Sequence, residues 1–127
     1  MADYIASLPM SVFVLDYDHN AGSPEQLKAT HEPFFKRLRE LRPDLPVIMI
    51  SAADYYLPGG WEVRRNIIRT TYENAVANSD RNVYFLDGHT FYDAVGAQFC
   101  RVDHTHPNNL GMWCMAKAIA PILESLL

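Results

Sequence analysis

Three short apolar runs, Ser11–Asp16 (S-V-F-V-L-D), Pro46–Ser51 (P-V-I-M-I-S) and Val83–Asp87 (V-Y-F-L-D), set the strongest limit on what this chain can fold into. Each is unbroken rather than alternating and rich in β-branched or aromatic residues, the pattern of a strand covered on both faces. The segments between them are long enough for helical crossovers, and strands joined that way pair in parallel through right-handed βαβ units. The 127 residues suit one α/β domain and are short for a complete doubly wound enzyme. In such sheets the loops after the strand C-termini line one edge, where ligands bind. Asp16–Asn20, Ser51–Gly60 and the loop after Asp87 emerge there.

The crossovers carry their own signals. Ala2–Leu8 reads as the end of a helix stopped by Pro9, with the look of an element cut short. Ser23-Pro24-Glu25-Gln26 is a helix start, a capping box with proline at the first helical position. Leu27, Phe34, Phe35, Leu38 and Leu41 give that helix an apolar face ending at Arg42. Pro33 predicts a kink or restart near His31–Pro33, because an interior proline costs about 3 kcal/mol. In Trp61–Ser79 the spacing turns Val63, Ile67, Ile68, Tyr72, Ala75 and Val76 inward, and Arg64, Arg65, Arg69 and Glu73 outward. Ala52–Gly60, rich in Tyr, Pro and Gly, is expected to wall a pocket. Thr90–Val95 predicts a short helical turn, and Asn109–Leu127 a terminal helix bent at Pro121.

Chemistry concentrates in Val102–Gly111, V-D-H-T-H-P-N-N-L-G. Asp103 and His106 stand three residues apart in a loop that Pro107 and two asparagines turn into the terminal helix. That spacing lets the carboxylate reach the Nδ1–H of the imidazole, fixing its tautomer and leaving Nε2 free as a base. A solvated loop that happens to hold two histidines is the other reading of so short a motif. The α/β context and the apolar helix directly after it favour catalysis. His104 reads as a solvated neighbour, although either histidine can point inward.

Composition excludes several classes. A formal charge of −4 and a pI near 5.6 argue against a nucleic-acid partner. Cys100 and Cys114 are too few for a disulfide scaffold, and Cys114 falls in the apolar terminal helix as a small core residue. No segment has the length and purity of a membrane span, and the first ten residues carry Asp3 without a basic n-region. With no such segment in these residues the location is unknown, cytoplasmic by default, and neither a membrane partner nor a cofactor is expected.

With those residues placed, the chain resembles the SGNH (GDSL-like) serine esterase and acylhydrolase family. D-H-T-H-P-N-N-L-G looks like that family's last block, whose D-x-x-H completes a Ser-Asp-His triad; the pair here would be Asp103 and His106. V-F-V-L-D-Y-D-H-N looks like its third block, whose asparagine donates to the oxyanion; that residue would be Asn20. The usual G-x-N-D is here Asp18-His19-Asn20-Ala21. The likeness implies a three-layer α/β/α, flavodoxin-like fold with a parallel sheet reduced to about three strands. Asp16 and Asp18 would orient the Asn20 loop, and Asp87 would serve as a hydrogen-bonding strand end.

The G-D-S turn that bears the family's nucleophile, and the glycine of its second block, are absent from these 127 residues. Of Ser7, Ser11, Ser23, Ser51, Ser79 and Ser125, none sits in a tight glycine turn. Ser51, at a strand's C-terminal edge, is the candidate substitute nucleophile. The resemblance thus implies the C-terminal portion of a carboxylic-ester hydrolase, inactive by itself, whose substrate is a small-molecule ester, carbohydrate esters included. A non-catalytic association scaffold is one alternative. A metal site drawn from Asp16, Asp18, His19, His31, Asp103, His104 and His106 is another, although none shows a metal-ligand spacing. In the family's sheet order, 2-1-3-4-5, the first strand would pair with Ser11–Asp16. Without it that run is an open edge and predicts a homo-oligomer, most simply a two-fold dimer.

Overall fold

The three apolar runs form one parallel sheet. The computed structural model of the chain describes residues 1–53 and 59–127, so most of the expected pocket wall at Ala52–Gly60 lies outside the described residues. Strands β1 (Phe13–Leu15), β2 (Val47–Ile50) and β3 (Val83–Leu86) lie in the order β1-β2-β3. Phe13 pairs with Val47, and Val47 in turn with Val83. Helices α1 (Ala2–Ala6), α2 (Pro24–Leu41), α3 (Trp61–Ala77) and α4 (Asn109–Leu126) complete the element order.

Side-chain alternation along the strands assigns the layers. Val47 and Met49 pack with Leu27, Phe35 and Leu38 of α2 and Ile68 and Ala75 of α3. Ile48 and Ile50 point the other way, toward Phe91, Tyr92, Cys100 and Cys114, with Ala118 and Ile119 of α4 beside them. The result is the expected α/β/α sandwich. Every residue of β2 is buried. β1 is shorter than the expected Ser11–Asp16 and is not covered on both faces: Val14 is 38% exposed. It lies at the sheet edge, and α4 packs over β2 and β3.

Local signals explain the helix ends. The Ser23 hydroxyl accepts the Gln26 N–H at 3.2 Å, while Gln26 Oε1 reaches one residue further back than a standard box, to the Gly22 N–H at 2.7 Å. Of the expected kink or restart, the restart does not occur: α2 runs through Pro33 as one helix. Its core anchors Leu27, His31, Phe35 and Leu38 are buried on both sides of the proline, whereas Pro33 and Ala29, whose carbonyl loses its partner, face solvent. In α3 the inward face is Arg64, Ile68, Thr71 and Ala75, and Val63 and Val76 are about half exposed. The expectation of an outward Arg64 and inward Val63 and Val76 is thereby corrected.

His31 sits between α2 and α3 with 1% exposure. Its Nδ1 lies 2.9 Å from Thr71 Oγ1, its ring stacks on Tyr17, and its Nε2 is buried without a partner among the described residues. Burial lowers its pKa from 6.5 to about 4, against the opposing pull of Asp18 and Glu32. The unfolded chain therefore binds this proton first as pH falls, and stability drains away from about pH 6.5 down to pH 4. The loss should reach about 3 kcal/mol. His31→Gln should flatten that part of the curve, read as the difference in urea midpoints at pH 7 and pH 4.5 between the two proteins. Equal pH slopes would remove His31 as the cause.

Candidate active site

The loop before α4 is a small closed structure with Asp103 and His106 at its tip. Its base is held by two backbone bonds, Val102 N–H to the His106 carbonyl and Asn108 N–H to the Cys100 carbonyl, both 2.9 Å. Asn108 then caps α4: its Oδ1 accepts the Gly111 N–H at 3.0 Å, and its Nδ2 donates to the Phe99 carbonyl at 2.8 Å. At Gly111 a Cβ would stand 2.2 Å from the Cys100 carbonyl oxygen, so only glycine lets the helix start so close to the loop. The Arg101 guanidinium donates to the carbonyls of Ala97 and His104, bracing the turn from below.

Within that frame both oxygens of the Asp103 carboxylate are engaged. Oδ1 accepts the backbone N–H groups of Thr105 at 2.8 Å and His106 at 2.7 Å, and Oδ2 lies 2.8 Å from His106 Nδ1. The His106 N–H, its ring and the Thr105 N–H, in that order, hold the Asp103 carboxyl well below the usual carboxylate range. An ionised acceptor facing Nδ1 places the proton there and leaves Nε2 as the basic nitrogen. The His106 side chain is 76% exposed and that of Asp103 54%. The pair is thus open to a reactant, and it is His106, not His104, that Asp103 holds.

The other loops of the same edge meet this one. A cavity of about 190 Å³ is lined by Asp16 and His19 after β1, Ser51–Ala53 after β2, and Thr105 and Pro107 on either side of His106. Asn20 ends a single 3₁₀ turn, Asp18–Asn20, and is exposed. Ser51 is fully buried. Its hydroxyl accepts the Gly88 N–H at 3.1 Å, and its N–H donates to the Leu86 carbonyl, so it ties the ends of β2 and β3 together. Asp87 does end its strand as expected: it accepts the His89 N–H at 3.1 Å and pairs with Arg65 at 3.2 Å. A larger hollow of about 620 Å³ lies between α2 and α3 at the opposite end of the strands. The Arg39 guanidinium on its wall is satisfied by Asp80 at 2.7 Å and by nearby carbonyls.

Two residues that position the site were not recognised as partners in the sequence. Asp18 and Arg64 are both buried, and Arg64 Nε donates to Asp18 Oδ1 at 2.8 Å. Arg64 also donates to the carbonyls of Asp18 and of Ala21, the latter at 2.8 Å, while Asp18 Oδ2 accepts the Ala52 N–H at 3.0 Å. This clamp joins the turn bearing Asn20 to α3 and to the end of β2. Among the described residues no three His, Cys, Asp or Glu side chains are grouped to hold a metal ion, and no helix is long and apolar enough to cross a membrane.

The model of the GDSL-like lipase/acylhydrolase family matches residues 1–124. A protein from Bacteroides ovatus described as a GDSL-like lipase superimposes with a TM-score of 0.80 at 27% identity, over 97% of this chain and 39% of that one. A salicylyl-acyltransferase from a tetracycline biosynthetic pathway shares the fold, with a TM-score of 0.76 at 20% identity, over 98% of this chain and 40% of its own. The chain spans about two fifths of the length of these structures. No curated protein matches it.

Proposed function

This chain belongs to the GDSL-like lipase/acylhydrolase family, and we propose that it supplies the acid–base pair of a serine-dependent carboxylic-ester hydrolase. The observation that carries the reading is the Asp103–His106 bond at the tip of a loop braced by backbone and Arg101 hydrogen bonds, with Nε2 left as base. In the step assigned to it, His106 takes the proton of the attacking hydroxyl and returns it to the leaving alcohol, and Asp103 holds the ring and stabilises its charged form. Asn20, on the turn fixed by Asp18 and Arg64, donates to the oxyanion.

The nucleophile lies outside residues 1–127. Ser51 is the one serine placed at the right edge of the sheet, and its hydroxyl is engaged in the interior. The isolated chain should therefore hydrolyse short p-nitrophenyl esters near the buffer rate, with no change in Ser51→Ala, because triad members act as a unit. Robust turnover abolished by Ser51→Ala would make Ser51 the nucleophile.

The same chain, studied alone, should self-associate. Among the described residues β1 has a neighbouring strand on one side only, and its Val14 is 38% exposed. Antiparallel pairing of Val12–Leu15 with a second copy across a two-fold axis would satisfy both open edges. Sedimentation at micromolar concentration should show a dimer that Val14→Lys converts to monomer. A monomer in both cases would discard the interface.

A further inference from the structure

The two cysteines of the chain meet beneath the dyad loop. Cys100 ends the short 3₁₀ turn Ala97–Phe99, and Cys114 follows Gly111 on the buried face of α4. Both thiols are free and buried, and both belong to the apolar cluster of Ile48, Ile50, Phe91 and Tyr92. The first turn of α4 is seated on Cys100, whose carbonyl accepts the Asn108 N–H and lies against Gly111. The side chains interact as well: burial first, then a hydrogen bond with the Cys114 thiol, push the Cys100 thiol up. Packing alone asks for small apolar side chains here and does not ask for two thiols in contact. The acid–base chemistry uses neither. Everything between them, residues 101–113, is the dyad loop and the start of α4, so a bond between the sulfurs would close that segment into a covalent ring carrying Asp103 and His106.

We propose that Cys100 and Cys114 form a redox latch: a low-molecular-weight disulfide oxidises them to an intramolecular disulfide that fixes both ends of the dyad loop, and a small thiol reopens it. Cys114 keeps 6% exposure and Cys100 none, so the Cys114 thiolate attacks the incoming disulfide, forms a mixed disulfide and expels one small thiol. Cys100 then gives up its proton, attacks the Cys114 sulfur and expels the second. Two protein thiols and one small disulfide thus become one protein disulfide and two small thiols. The two electrons and two protons lost by the protein are taken up by the oxidant. Because both sulfurs are covered, the first attack proceeds through local opening of the loop, and the end point rather than the rate is diagnostic. Only the bearing of the latch on turnover rests on reading Asp103 and His106 as the reacting pair.

Oxidation of the folded chain with oxidised glutathione tests this without turnover. The product is read by intact mass, by thiol titration after denaturation, and by amide hydrogen exchange. The mass should fall by about 2 Da with no glutathione retained, and both thiols should vanish from the titration. The Val102 and Asn108 amides, whose bonds close the base of the loop, should exchange at least about tenfold more slowly, and the urea midpoint should rise. Dithiothreitol should reverse both changes, and Cys114→Ser and Cys100→Ser should show neither. Glutathione held as a mixed disulfide, a disulfide-linked dimer, or thiols that stay reduced until urea unfolds the chain would each overturn the proposal. So would a bridge that forms but speeds exchange at Val102 and Asn108, since the loop would then be strained rather than held. Asp103→Asn should oxidise as the wild type does, so a failure of the acid–base reading would appear in turnover and not here.

Discussion

Arg64→Leu should destabilise the fold by about 3–5 kcal/mol, the usual cost of removing one partner from a buried ion pair. The change leaves the Asp18 carboxylate buried with, among the described residues, the Ala52 N–H as its remaining donor, and removes the guanidinium from the carbonyls of Asp18 and Ala21. Against a total stability of about 5–15 kcal/mol that is enough to lower the urea midpoint steeply. Asp18→Asn combined with Arg64→Met should recover much of the loss, because the amide oxygen still accepts from Ala52 and no lone charge remains. A midpoint for Arg64→Leu close to that of the wild type would show that the pair contributes nothing to the fold. The clamp also fixes the turn carrying Asn20, so milder variants such as Arg64→Lys should disturb turnover before they disturb folding.

The second large effect is expected at Asp103, measured with this chain joined to the nucleophile proposed for it. Asp103→Asn keeps an oxygen for the backbone N–H groups of Thr105 and His106, so the loop should fold as before. The amide nitrogen then faces His106 Nδ1, which must turn acceptor, and the ring proton moves to Nε2, where the base is needed. Turnover should fall about 10⁴-fold with little change in stability, the penalty of a wrong tautomer in a serine triad. A loss of only a few fold would mean that Asp103 shapes the loop and nothing more.

Much of this was legible in the sequence, and the failures have physical causes. Unbroken apolar runs at helix-length spacing were enough for the parallel sheet, since crossover geometry leaves few alternatives. The Asp103–His106 bond was legible because it is local, spanning three residues and needing no knowledge of the remainder of the fold. The Asp18–Arg64 pair joins residues 46 apart, and arginine on a helix is ordinarily solvated. The signal was present even so: Arg64, Ile68, Thr71 and Ala75 share one helical face, and an aspartate stood where the family's third block has glycine. Ser51 looked available because it ends a strand, but the close approach of Gly88, where a Cβ would lie 2.0 Å from the Ser51 carbonyl oxygen, seals it inside. Pro33 does not split the helix into two, because burial on both sides of it outweighs one lost hydrogen bond.

The assignment of Asp103 and His106 as the reacting pair is tested most sharply by comparing the two histidines of the loop. Initial rates of p-nitrophenyl acetate hydrolysis are measured for His106→Ala and His104→Ala in the natural protein containing residues 1–127, with urea midpoints as the control. His106→Ala should lose at least about 10³-fold in kcat with its midpoint unchanged, and His104→Ala should keep near wild-type rates. Collapse of activity in His104→Ala, with His106→Ala still active, would contradict the assignment.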